Sequence, residues 1–143
     1  MATTTAGITL TSDLLSDSLS VVTDTTCMKA GTTADGLDQM RMGINEIPTG
    51  TNFDILNADA TNADKGTKLY IANLSEDETY YVIVTMDAKA IGRLYGGPDG
   101  TGDWMFIPWS MDDAADDIEI QAYTGTNTIE WVKFHENEVL TSA

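Results

Sequence analysis

The last part of the chain alternates. In Asp117-Ile-Glu-Ile-Gln-Ala-Tyr123 the apolar Ile118, Ile120 and Ala122 share one parity, and Glu119, Gln121 and Tyr123 share the other. Successive side chains of a strand point to opposite sides, so this period of two specifies a strand with one buried face. Thr124-Gly-Thr-Asn127 supplies turn formers, and Thr128-Ile-Glu-Trp-Val-Lys-Phe134 reads as the last strand. A half-buried strand needs a second layer to cover it. Long i, i+3, i+4 apolar stripes that could make a helical layer are hard to find in this chain, which leaves sheet on sheet.

The same signal recurs upstream. Lys68-Leu-Tyr-Ile-Ala72 and Thr79-Tyr-Tyr-Val-Ile-Val-Thr-Met86 read as strands, the second with Tyr80, Val82, Val84 and Met86 on one face. Between them Asn73-Leu-Ser-Glu-Asp-Glu78 suits a hairpin or a sheet-to-sheet crossing. Ile91 to Tyr95 is a short strand stopped by the turn formers Gly96-Gly-Pro-Asp-Gly-Thr-Gly102. Met105 to Trp109 is extended, and Pro108, which cannot donate to a ladder, argues for an edge or a strand end. Threonine occurs 21 times, in keeping with β structure. The fold class expected is all-β, an antiparallel β-sandwich or jelly-roll-like domain with an extended N-terminal arm.

At 143 residues one domain is expected. Residues 48–143 should form the sandwich core, and residues 1–47 an extended arm and irregular segment. Within the arm, Ile8-Thr-Leu10 and Ser18 to Val22 look extended, Thr23 to Gly50 looks irregular, and Leu37 to Met42 could make a helical turn or two. Ile8, Leu10, Leu14, Leu15 and Leu19 are its candidate contacts. They are too sparse to offset backbone entropy alone, so the arm is expected to order against a partner.

The charge is one-sided: 23 acidic residues against 7 basic, a net −16, with ten acidic residues and only Lys133 after Gly96. Such a field repels polyanions, so nucleic acid is not an expected partner. Cys27 stands alone and can form no internal disulfide, which fits assembly in a reducing cytoplasm. The first residues carry no basic and apolar signal pattern, and no run approaches the ~20 apolar residues of a membrane span. No membrane partner is expected.

Catalytic chemistry has little to work with. The single histidine, His135, lies beside Glu136, Cys27 has no activating neighbours in sequence, and no nucleophile or phosphate-binding motif is present. Asp112, Asp113, Asp116 and Asp117 could offer calcium ligands, as could Asn57 to Gly66. In the latter, Lys65 interrupts the required spacing between the third ligand and the glycine. These segments are expected to be solvated loops, with no catalytic, cofactor or metal site. Trp104, Phe106 and Trp109, just before the aspartates, are read as core or interface aromatics of a hairpin. The rival reading takes Trp104 and Trp109 as a sugar platform beside paired carboxylates. Asn73-Leu-Ser75 has the form of a glycosylation sequon, which is expected to be accidental.

The order Lys68 to Asn73, Ile91-Gly-Arg-Leu-Tyr-Gly-Gly-Pro98, Phe106-Ile-Pro-Trp109, Asp117 to Ala122 and Thr128 to Phe134 resembles that of small virion proteins of tailed bacteriophages, especially capsid decoration (cement) proteins. About half the chain carries it. Gly7-Ile-Thr-Leu10 and Lys29-Ala-Gly-Thr-Thr33 add weaker support. The resemblance implies a non-enzymatic, multicopy protein, commonly a homo-oligomer. It would be assembled in the host cytoplasm and lie on the capsid surface against the major capsid protein. A tail or head-completion component and a carbohydrate-binding sandwich are the alternatives.

Overall fold

A computed structural model describes residues 4–12, 19–27, 39–56, 66–110 and 117–135. These hold ten strands: β1 (Thr4–Ser12), β2 (Leu19–Cys27), β3 (Gln39–Ile47), β4 (Asn52–Leu56), β5 (Gly66–Asn73), β6 (Tyr81–Met86), β7 (Lys89–Tyr95), β8 (Trp104–Ser110), β9 (Ile118–Thr124) and β10 (Asn127–His135). Eight of them form two four-stranded antiparallel sheets, ordered β3-β10-β5-β8 and β4-β9-β6-β7. This is a β-sandwich, and the strand order is that of a jelly roll, in which the chain passes repeatedly from one sheet to the other.

The core lies between the sheets and follows the parity read from the sequence. Ile118, Ile120 and Ala122 of β9 are buried, as are Val82 and Val84 of β6, and they meet Leu69, Ile71, Ile129 and Trp131 of the first sheet. A bulge in β4 between Asp54 and Leu56 turns both Ile55 and Leu56 inward. Trp131 lies directly across from Gly43 of β3, and a Cβ there would stand 2.6 Å from its ring. Glycine at that position is what allows the indole to lie flat on the neighbouring strand, where its Nε1 donates to Asn45 Oδ1 at 2.9 Å.

Two local expectations are corrected. Leu37–Met42 was expected to turn helically within an irregular segment, but Gln39–Ile47 is a full nine-residue strand paired with β10. Its alternation is inverted, with Met40, Met42 and Ile44 pointing out and Gly43, Asn45 and Ile47 pointing in, so the usual apolar-inward reading fails on it. Second, β8 and β9 belong to different sheets, so the aromatic segment before the aspartates is one side of a crossing and not of a hairpin. The turn expected at Thr124 to Asn127 is present and carries the chain between sheets. Pro108 does fall on an edge strand, β8.

At the N-terminus β1 and β2 pair with each other over nine residues, Thr4 opposite Cys27 and Ser12 opposite Leu19. This ribbon is a sheet of its own, with no ladder to either layer of the sandwich among the described residues.

Candidate functional site

The outer face of the first sheet is apolar where a solvated sheet is normally polar. Its rows follow from the strand register. Met40, Phe134, Lys68 and Pro108 form one row, Met42, Val132, Tyr70 and Phe106 the next, and Ile44, Glu130, Ala72 and Trp104 the third. Met42 is 60% exposed and Trp104 47%. The Tyr70 and Trp104 rings are 6.3 Å apart. Partial burial, with Glu130 nearby, holds the Tyr70 phenol above its ordinary pKa. Within these twelve positions Lys68 and Glu130 are the only charges.

The outer face of the second sheet is different. Tyr81 stacks on Tyr123 at 5.7 Å and meets Tyr95 at 5.1 Å, placing three phenol rings side by side across β9, β6 and β7. The Arg93 guanidinium sits 4.6 Å over the Tyr81 ring and donates to the Tyr95 hydroxyl at 3.1 Å. Both contacts fix a side chain that is otherwise floppy. Towards the other end of the face Glu119 lies opposite Asp54, and burial together with that carboxylate raises its pKa.

Two buried polar features tie the ends of the sandwich. Asn73 donates from Nδ2 to Leu94 O at 3.0 Å and to Asn127 Oδ1 at 2.9 Å, while its Oδ1 accepts from Ser75 N at 3.0 Å. Asn127 in turn donates to Thr124 O. This knot joins the ends of β5, β7, β9 and β10, and it closes the Asn73 amide to glycan attachment. Lys133 points inward with no exposed surface. Its Nζ donates to Ile55 O at 2.8 Å and lies 5.1 Å from the Trp131 ring. Burial, with Arg41 nearby, brings its pKa down to about 8.

No family model matches this chain, and no curated protein matches it. Its functional reading therefore rests on its own surfaces.

The aromatic trio of the sequence divides between two faces. Trp109 is 3% exposed and belongs to the core, whereas Trp104 and the half-buried Phe106 lie on the outer face of β8. Strand parity puts Trp104 and Trp109 on opposite sides, so they cannot form one sugar platform. Of the arm residues, Ile8 is half-buried and Leu10 exposed in β1. Leu14 and Leu15, and the side chain of Leu19, lie outside the described residues, as do the side chain of His135, Asp112 to Asp116 and Asn57 to Lys65. Among the described residues no group of three histidine, cysteine or carboxylate side chains is placed to hold a metal.

Sequence reasoning named Trp104 and Phe106 as core or interface aromatics but assembled neither outer face. Met40, Met42 and Ile44, at alternate positions, were the local signal of an apolar exterior, but they fell in a stretch read as irregular. The tyrosine row needed the pairing of β9, β6 and β7, which no local pattern supplies.

Proposed function

We propose that this protein is a non-enzymatic structural component of a tailed-bacteriophage virion that lies on the capsid surface, contacts the major capsid protein, and decorates or stabilises the shell. One observation carries the reading: both broad faces of a single sandwich bear the chemistry of protein contacts, apolar on one side and tyrosine with arginine on the other. Tyrosine, tryptophan, methionine and arginine are the side chains that interfaces concentrate. A building block gripped on two sides has use for two such faces. The jelly-roll order is a fold-level analogy in the same direction, since virion proteins use it often, though lectins do too. The resemblance in strand-and-turn order supplies the phage context.

The test is titration of the purified protein onto phage heads assembled without it. Saturable binding at a copy number matching the capsid lattice, with greater resistance of the heads to heat, is the expected result. Binding confined to one vertex would replace decoration with a head-completion or tail role, and no binding would overturn the capsid reading.

The carbohydrate alternative gains one specific observation, the Tyr81, Tyr95 and Tyr123 row. Aromatic rings in line are suited to stacking on sugar rings. Glycan-array binding abolished by Tyr81→Ala would favour it over the structural reading.

A further inference from the structure

We propose that the outer face of the β3-β10-β5-β8 sheet is a self-association surface. Two copies stack on it face to face about a two-fold axis lying in the plane of the interface, with Lys68 of each copy over Glu130 of the other. This goes beyond the capsid reading and does not depend on it.

The placement of the two charges carries the argument. Tyr70 and Val132 are paired neighbours at the middle of the face. Lys68 lies two residues from Tyr70 towards one end of β5, and Glu130 lies two residues from Val132 towards the opposite end of β10. The midpoint between the two charges therefore falls at the centre of the patch, between Tyr70 and Val132. A two-fold axis in the interface plane through that point, perpendicular to the line joining the two charges and so inclined by roughly 20° to the across-strand direction, exchanges the two positions, so each lysine meets a glutamate and the contact forms twice. Two charges of like sign would not satisfy that symmetry, and a pair centred away from the middle of the patch would satisfy it only by reducing the overlap of the two faces. An isologous interface requires a patch complementary to itself, and this one is.

Net charge points the same way. A chain of net charge −16 approaches a copy of itself most easily through its least charged surface. The three rows of this face sum to zero, one lysine against one glutamate, with Met42, Ile44, Val132, Tyr70, Phe106 and Trp104 among them. Four strands and three rows span roughly 19 by 20 Å at ordinary strand spacings. With side-chain relief that is on the order of 600 Å² per subunit, which brings a pair into the lower range of specific interfaces. Apolar patches of that size are seldom left open on monomers.

Sedimentation equilibrium of the full chain tests this. The wild type should dimerise below about 100 μM, and Lys68→Glu and Glu130→Lys should each weaken the dimer by about tenfold or more. An equimolar mixture of those two variants should form a heterodimer, because each lysine pair then faces a glutamate pair across the interface, and the double variant should regain the homodimer. A second measurement covers a single variant that fails to fold. Lys68 and Glu130 stand about 14 Å apart in one subunit, too far for an internal disulfide. Oxidation of Lys68→Cys/Glu130→Cys in a Cys27→Ser background should therefore give a covalent dimer. A monomeric wild type at that concentration, folded single variants that dimerise normally, a mixture without heterodimer, or no covalent dimer would overturn the proposal. A monomer that still saturates phage heads would overturn self-association alone, and a dimer that ignores them would overturn the capsid reading alone.

Discussion

Trp104 and Trp109 are five residues apart on one strand and do different work. Trp109 fills the core, so Trp109→Ala should cost on the order of 3–5 kcal/mol, while Trp104→Ala, which removes a half-exposed ring, should cost less than about 1 kcal/mol. Chemical denaturation of the two variants side by side checks the ranking. Lys133 makes a prediction about pH. Its folded pKa of about 8 lies below the ordinary 10.5, so between those values the unfolded chain holds a proton that the folded chain has released. Stability contributed at this site should therefore rise as pH increases from about 8 towards 10. Lys133→Met should flatten that part of the melting-temperature profile, and an unchanged slope would show that the lysine is not the source. The sequence showed Lys133 only as the sole basic residue of an acidic tail, since its inward position depends on the register of β10 and on the carbonyl of Ile55 in the other sheet.

At the level of elements, the strands with conventional parity could be read directly, and the ones that could not have physical reasons. β9 and β6 put isoleucine, valine and alanine inside, and the alternation announces them. β3 puts methionine and isoleucine outside, so it passed for an irregular stretch with a helical turn. The β6–β7 turn went unread because it lacks glycine: Asp87 and Ala88 both adopt positive φ, 50° and 56°. A hairpin turn of that shape favours Asn-Gly or Asp-Gly, and Cβ strain at Ala88 is avoidable. Ala88→Gly should therefore stabilise the protein by about 0.5–1 kcal/mol, the strain relieved exceeding the added chain entropy; a lower melting temperature would contradict the turn geometry. The N-terminal ribbon is a separate element with its own ladder. Deleting residues 1–27 should leave a β-rich, cooperatively melting sandwich, because all eight strands of the two layers follow Gln39. Loss of cooperative melting would show that β1 and β2 are integral to it.

For the whole molecule, the two-layer architecture was legible because alternating strands without helical stripes leave few ways to cover a sheet. The candidate faces were not, because they are made of residues from three or four strands whose neighbours in space are far apart in sequence. Tyr81 and Tyr123 are the example: nothing in the sequence relates them until β6 lies beside β9. The net charge acts at this scale too. Self-repulsion among 23 acidic side chains opposes compactness, and salt screens it. Melting temperature should thus climb with sodium chloride up to a few tenths molar, measured with the dimer fraction held constant; no change would mean that the acidic residues are too dispersed to repel.

The edges of the two sheets have a consequence for crowding. In the first sheet the edge strand β8 carries Pro108, which has no N–H to offer a further strand, and in the second a bulge breaks β4 and a register shift breaks the β6–β7 pairing. β3, with nine unbroken residues, is the one edge of the sandwich free of such interruptions. Edge-to-edge growth into a fibre needs two open sides on every molecule, one to accept a strand and one to offer the next. With a single open side, two copies that pair through β3 have nothing left to extend, so sheet addition ends at two. At high local concentration the two layers of the sandwich are protected in this way from polymerising through their own edges, whatever the side chains are recruited to bind.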